Sequence, residues 1–172
     1  YSVENVIIWS DDFKKINPRW SVPALIDSTN WIWTMTHVVA IIKYLLKKYP
    51  NNLWANWDII SEYELDQMLS FLNSDFHPSF WWFFVPQKFT SFNEENIITD
   101  IQKSSIKRIT QNLEYLEQKL NWWEYLVLNK LTVADIYAFV MLRWAWFALW
   151  EDFKKFENLN NFMEKISNIP EV

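Results

Sequence analysis

The stretch YLVLNKLTVADIYAFVMLRWA, Tyr125–Ala145, decides how this chain is read. At its centre Thr132-Val133-Ala134-Asp135 is a capping-box variant: a threonine hydroxyl to cap a backbone N–H, and three residues on a carboxylate that reaches back. The run that follows, IYAFVMLRWAWFALW, is the most apolar of the chain and predicts a helix over Leu131–Trp150, with Trp144 an ordinary core residue. Asp135 is therefore a folding signal and is not counted as catalytic.

Outward from this helix, the pattern stays helical on both sides. Asn158–Ile169 forms a further helix. Upstream, Ile106, Ile109, Leu113, Leu116 and Leu120 recur at spacings of three and four and line one face of a long helix. Ser61–Phe76 reads as a helix, Pro78 and Pro86 bracket an aromatic loop, and Thr36–Lys48 reads as a helix ending in Lys47, Lys48 and Pro50. Before residue 36 the period changes. Ser2–Ile8 reads as a strand, Asp11–Ile16 as a short helical or irregular link, and Val22–Met35 as the two strands of a hairpin. The expected fold class is α+β, mainly helical: a small β-containing domain over 1–50 and an all-helical domain over 51–172.

The composition is unusual. The 172 residues include 13 tryptophans and no glycine, where ordinary usage would supply about 12 glycines. Trp20 stands in a Pro-containing turn, and Asn30-Trp31 sits between two extended runs, where Asn-Gly is the favoured hairpin turn. Trp81-Trp82 and Trp122-Trp123 are doubled in loop-like stretches. Two explanations stand: several of these are glycines encoded by a stop-type codon that some bacteria read as glycine, or the chain is naturally glycine-poor and aromatic-rich.

Charge and residue types exclude several classes of function. With 16 Lys+Arg against 21 Asp+Glu the net charge is -5, so nucleic acid is not an expected partner. No apolar stretch is read as a membrane span, because Arg143 interrupts the longest one. The lack of cysteine rules out a disulfide framework and fits a cytoplasmic setting. His37 and His77 without cysteine make no metal site. Glu94-Glu95 and Asp11-Asp12 read as solvated loop charge, and Phe80–Phe84 as a hydrophobic substrate wall, a dimer contact or, if Trp81 and Trp82 are glycines, a flexible turn.

The block Tyr125–Ala145, with KFENLNNFMEKISNIPEV after it, resembles the C-terminal helical domain of bacterial glutathione transferases. FKKINPRWSVPALI, with MTHVVAIIKYLLKKYP after it, resembles the second half of their thioredoxin-like N-terminal domain. The family usually has glycine at the places of Trp20 and Leu128.

The resemblance implies a site. Val22, before a cis-Pro23, would offer its backbone N–H and C=O to the cysteinyl part of glutathione, as an added strand on an open edge. The γ-glutamyl group would lie at a helix start that here carries His37 and Val38, in place of the family's acidic residue and serine. His77, in SDFHP, matches a family stretch that approaches the glutathione site. The implied partners are glutathione as co-substrate, a small electrophile and a second copy in a homodimer, with no other cofactor and no metal. The family's thiol-activating donor lies on a first strand–helix unit ahead of Ser2–Ile8. The catalytic residue is therefore expected upstream of Tyr1, and the chain is expected to be a fragment, inactive as it stands and with Ser2–Ile8 lacking a strand to pair with. A transferase and a non-catalytic, transferase-like interaction module are the two functions carried forward.

Overall fold

The computed structural model describes residues 2–29, 32–49, 53, 58–92 and 94–170; of Ile32 and Trp33 it describes the backbone. The chain divides into two compact units, Tyr1–Asn51 and Asn52–Val172.

The first unit holds α1 (Asp11–Ile16), β1 (Ala24–Asp27), β2 (Ile32–Thr36) and α2 (Val38–Lys48). Ser10 caps α1, its hydroxyl accepting from the Phe13 N–H at 3.1 Å. β1 and β2 are antiparallel, with Ala24 opposite Thr36, Leu25 opposite Met35 and Asp27 opposite Ile32, and an irregularity between Leu25 and Asp27. The hairpin expected over 22–35 is thus present, while its Asn30-Trp31 turn lies outside the described residues. Asp27 on β1 accepts from Tyr44 and Lys48 of α2, tying strand to helix. Residues 2–8 are not a strand: among the described residues they have no ladder partner and are mostly exposed. Apolar alternation makes a strand only where a neighbour supplies the hydrogen bonds.

The second unit is helical: α3 (Ile59–Phe71), a π-helical turn (Leu72–Phe76), α4 (His77–Ser79), α5 (Trp81–Phe84), α6 (Glu95–Leu120), α7 (Val133–Leu149) and α8 (Glu157–Ser167), with 3₁₀ turns at Pro86–Phe89 and Trp150–Lys155. Asp58 caps α3 through the Ile60 and Ser61 N–H groups, 3.0 and 2.9 Å away. The stripe predicted on α6 is buried at Ile109, Leu113, Leu116 and Leu120. From α6 the Glu117 carboxylate accepts the Asn158 and Leu159 N–H groups, both at 2.9 Å, and so closes the α8 start with charge as well as hydrogen bonds.

The capping box forms at the start of α7. Asp135, fully buried, accepts from the Thr132 N–H and hydroxyl at 2.7 and 2.8 Å and from the Leu126 N–H at 2.8 Å, pinning the preceding loop to the helix.

Three expectations need correction here. Residues between Pro78 and Pro86 form short helices and not a loop, because proline at a helix start forfeits no intrahelical hydrogen bond. Trp144 is half-buried. Val133–Lys155 is long and apolar enough to cross a membrane by length and composition, Arg143 notwithstanding; half of its apolar window is buried inside the unit, as in a core helix.

Candidate functional site

In the α/β unit, the loop into β1 is built around Asn17, which is almost fully buried. Its amide donates to the Ser21 carbonyl at 2.6 Å and to the Ser21 hydroxyl at 3.2 Å, while its side-chain oxygen accepts the Arg19 N–H at 3.1 Å. The Asn-Pro turn signal marked this place, but not the side chain that organises it. Trp20 completes the turn with φ 53°, in the left-handed region that favours glycine. The Val22-Pro23 peptide is cis. Val22 is exposed, leaving its side of the backbone open to solvent.

His37 and Val38 lie at the far end of the same hairpin. His37 has φ 69° and ψ 116° and precedes the first residue of α2, Val38. Its Nδ1 is 2.9 Å from the Thr36 hydroxyl, and its side chain makes no cap bond to α2. Because Ala24 pairs with Thr36, Pro23 and His37 flank one rung of the ladder. Four of the five residues proposed from sequence therefore meet at one end of one hairpin. Backbone groups dominate there: the Val22 peptide and the unpaired first N–H groups of α2.

His77, the fifth, is in the helical unit. The π turn ends on it, its N–H bonding back to the Leu72 carbonyl. Ser79 holds this segment: its hydroxyl donates to the Phe76 carbonyl at 2.6 Å, and its carbonyl accepts the Ser105 hydroxyl of α6 at 2.5 Å. The His77 Nδ1 is 2.9 Å from the Tyr137 hydroxyl on α7. The imidazole also meets the Trp144 ring edge-on, centroids 5.3 Å apart. Burial pushes the His77 pKa below 6.5 and the Tyr137 pKa up to about 12, so at neutral pH both are uncharged.

His77 lines a cavity of about 290 Å³ with Phe80, Trp81, Phe84, Val85 and Trp144. Its size and apolar walls suit a small hydrophobic ligand. Tyr137 was missed in the sequence, where an aromatic in an apolar helix reads as core. A larger cleft of about 620 Å³ beside Val140, Arg143 and Phe147 contains none of the residues proposed from sequence. Among the described residues, no group of His, Asp and Glu side chains could hold a metal ion.

Burial also pushes the Asp135 carboxyl up, against the lowering pull of its bonds to Leu126 and Thr132. All of its close partners belong to the cap, so its role is structural.

Comparison with known proteins agrees with this organisation. Residues 76–170 match the family model described as "Glutathione S-transferase, C-terminal domain". Glutathione S-transferase GstA of Escherichia coli O157:H7 is 27% identical over 164 residues, covering 94% of this chain and 75% of that protein. The beta-class glutathione S-transferase of Sphingomonas chungbukensis superposes with a TM-score of 0.78 at 29% identity, covering 93% of this chain and 74% of the other. A sphingomonad glutathione S-transferase complexed with glutathione gives 0.77 at 26% identity, with the same coverages. The α/β unit is part of a thioredoxin-like domain, the helical unit is the all-helical C-terminal domain, and the chain belongs to the glutathione S-transferase family.

Proposed function

We propose that this chain binds glutathione through the hairpin end at Val22, Pro23, His37 and Val38, and takes part in conjugating its thiolate to small hydrophobic electrophiles held beside His77. The observation that carries the reading is the β1–β2 register, which gathers the Val22-Pro23 peptide and the start of α2 at one place. The bound glutathione of the sphingomonad relative supports it. An extended thiol tripeptide would pair with the Val22 backbone like an added strand and set its carboxylate at the N–H groups of α2. A homodimer in the cytoplasm belongs to the same reading.

Titrating the protein with glutathione by calorimetry tests this. The wild type and Val22→Ala bind, because the contact is to backbone. Val22→Pro, which lacks the N–H, binds about tenfold more weakly. A wild type without affinity, or a Val22→Pro variant that binds equally well, overturns the reading.

A second reading is a transferase-like module for protein interaction. It is favoured by His37, which puts an imidazole where a carboxylate would accept the ligand's ammonium group. Absence of glutathione binding together with a stably folded chain is the result that selects it.

A further inference from the structure

We infer that Tyr137 is a positioning residue: its hydroxyl holds the His77 ring so that Nε2–H is the hydrogen-bond donor available to a ligand in the aromatic cavity. The cavity then selects electrophiles whose reacting carbon is conjugated to a single acceptor oxygen, the α,β-unsaturated carbonyl class. This rests on the conjugating reading above and names the substrate class of the same site.

The phenol and Nδ1 are 2.9 Å apart, a contact that links residues 60 apart in sequence. A neutral imidazole has one nitrogen that donates and one that accepts. Among the described residues the Tyr137 hydroxyl has no other hydrogen-bond partner, so its proton points to Nδ1 and leaves the ring's own proton on Nε2. Both groups stay uncharged at neutral pH, as burial dictates. The other walls, Phe80, Trp81, Phe84, Val85 and Trp144, are apolar or aromatic and favour a flat hydrocarbon body.

In the addition, the glutathione sulfur forms a bond to the β-carbon, and the C=C electron pair shifts to make an enolate. Negative charge gathers on oxygen, where Nε2–H donates. The proton given up by the thiol returns through water to the α-carbon. A donor in an apolar site favours this charge shift more than it favours the uncharged substrate.

Only His37 and His77 carry imidazoles, so nitrogen-15 NMR of the labelled protein reads the tautomer of each. His77 is expected with Nε2 protonated and Nδ1 bare; in Tyr137→Phe it becomes a mixture, while His37 is unchanged. Benzylideneacetone is expected to bind about fivefold more tightly than propenylbenzene, which lacks the carbonyl, and Tyr137→Phe erases the preference. His77→Gln, which keeps a donor near the Nε2 place, retains it if Tyr137→Phe is too unstable to assay. A proton on Nδ1 in the wild type, or a preference that survives Tyr137→Phe, overturns the proposal. Neither readout uses glutathione, so loss of glutathione binding remains a separate result.

Residues 20 and 150 share a different property, carried by the backbone alone. We infer that both are glycine positions, read as glycine in the cells that make this protein. Trp20 has φ 53°, and Trp150, directly after α7, has φ 50° with ψ −110°, a region hostile to any side chain. The Trp20 indole nitrogen is buried and, among the described residues, without a hydrogen-bond partner. Leu128 and Asn129 also have positive φ, so only part of the glycine deficit falls on tryptophan. Trp144, inside α7 and in ring contact with His77 and Phe80, is a true tryptophan.

Mass spectrometry of peptides from the natively produced protein is expected to find glycine at 20 and 150 and tryptophan at 144; tryptophan at 20 and 150 overturns the inference. In the chain as written, Trp20→Gly and Trp150→Gly should each raise Tm by about 2–4 °C, whereas Trp144→Gly lowers it. A fall with both of the first two substitutions counts against the inference as well.

Discussion

The two units are closed in different ways. In the helical unit, Leu65, Leu69, Leu72, Ile109, Leu113 and Leu116 are completely enclosed by α3, α6, α7 and α8. In the α/β unit, the best-buried hydrophobic side chains, Phe13, Leu46 and Ile41, each keep some contact with solvent. Polar groups finish the closure there: Asn17 shapes the turn before Val22, and Asp27 gathers Tyr44, Lys48 and Thr29. A packed core resists chemistry in the solvent, while a tether of charges and hydrogen bonds answers to pH. The unit that carries the backbone-lined ligand edge is the one with the weaker core and the lower expected local stability.

The largest test of this contrast is a pair of truncations. Leu116→Ala should cost about 3 kcal/mol in denaturant unfolding of the helical unit, and Ile41→Ala about 2 kcal/mol in the α/β unit, because a partly exposed site loses less burial. Equal losses would erase the distinction. Asp135→Ala should follow at about 2–3 kcal/mol, since it strands the buried Leu126 and Thr132 N–H groups. Asp135→Asn should recover part of that loss without restoring both acceptors.

The smallest effect is the response to acid. The Lys48 ammonium first, then Thr29 and Tyr44, hold the Asp27 carboxyl well below its ordinary 3.8. A lowered folded pKa means that the tether's contribution is present above pH 3.8 and fades as pH falls below it. Lys48 is raised above 10.5, mainly by Asp27, so its contribution disappears only above that pH. The thermal midpoint of the β1–β2 NMR signals should therefore be flat between these limits and fall in acid. Asp27→Asn should lower the plateau and remove the acid step, and a step that persists in this variant would place its origin elsewhere.

Much of the helical unit was legible because periodicity and capping are local. Ile109 to Leu120 announce one face of α6, and Thr132 with Asp135 announces the α7 start. Val22, Pro23, His37 and Val38 were found through resemblance; their meeting at one hairpin end needed the strand register. Residues 2–8 alternate in a way that suits a strand, but a ladder belongs to two segments and cannot be read from one. Tyr137 was hidden because its hydroxyl gains meaning only from His77, 60 residues away. The short helices after Pro78 were masked by the prolines themselves, which punctuate loops and open helices alike.

The π turn at Leu72–Phe76 gives the helical unit a built-in phase offset. It fits one residue more per turn than the α3 helix leading into it, so everything after it is rotated relative to a plain helix. Deleting one residue there would restore ordinary winding and swing His77 by about 100° around the axis, away from Tyr137. Exchanging Asn73 or Ser74, both exposed, for other polar residues would leave that phase intact. The segment before His77 is thus constrained in its length more than in its spelling, so its evolutionary drift should run through substitutions and avoid gaps.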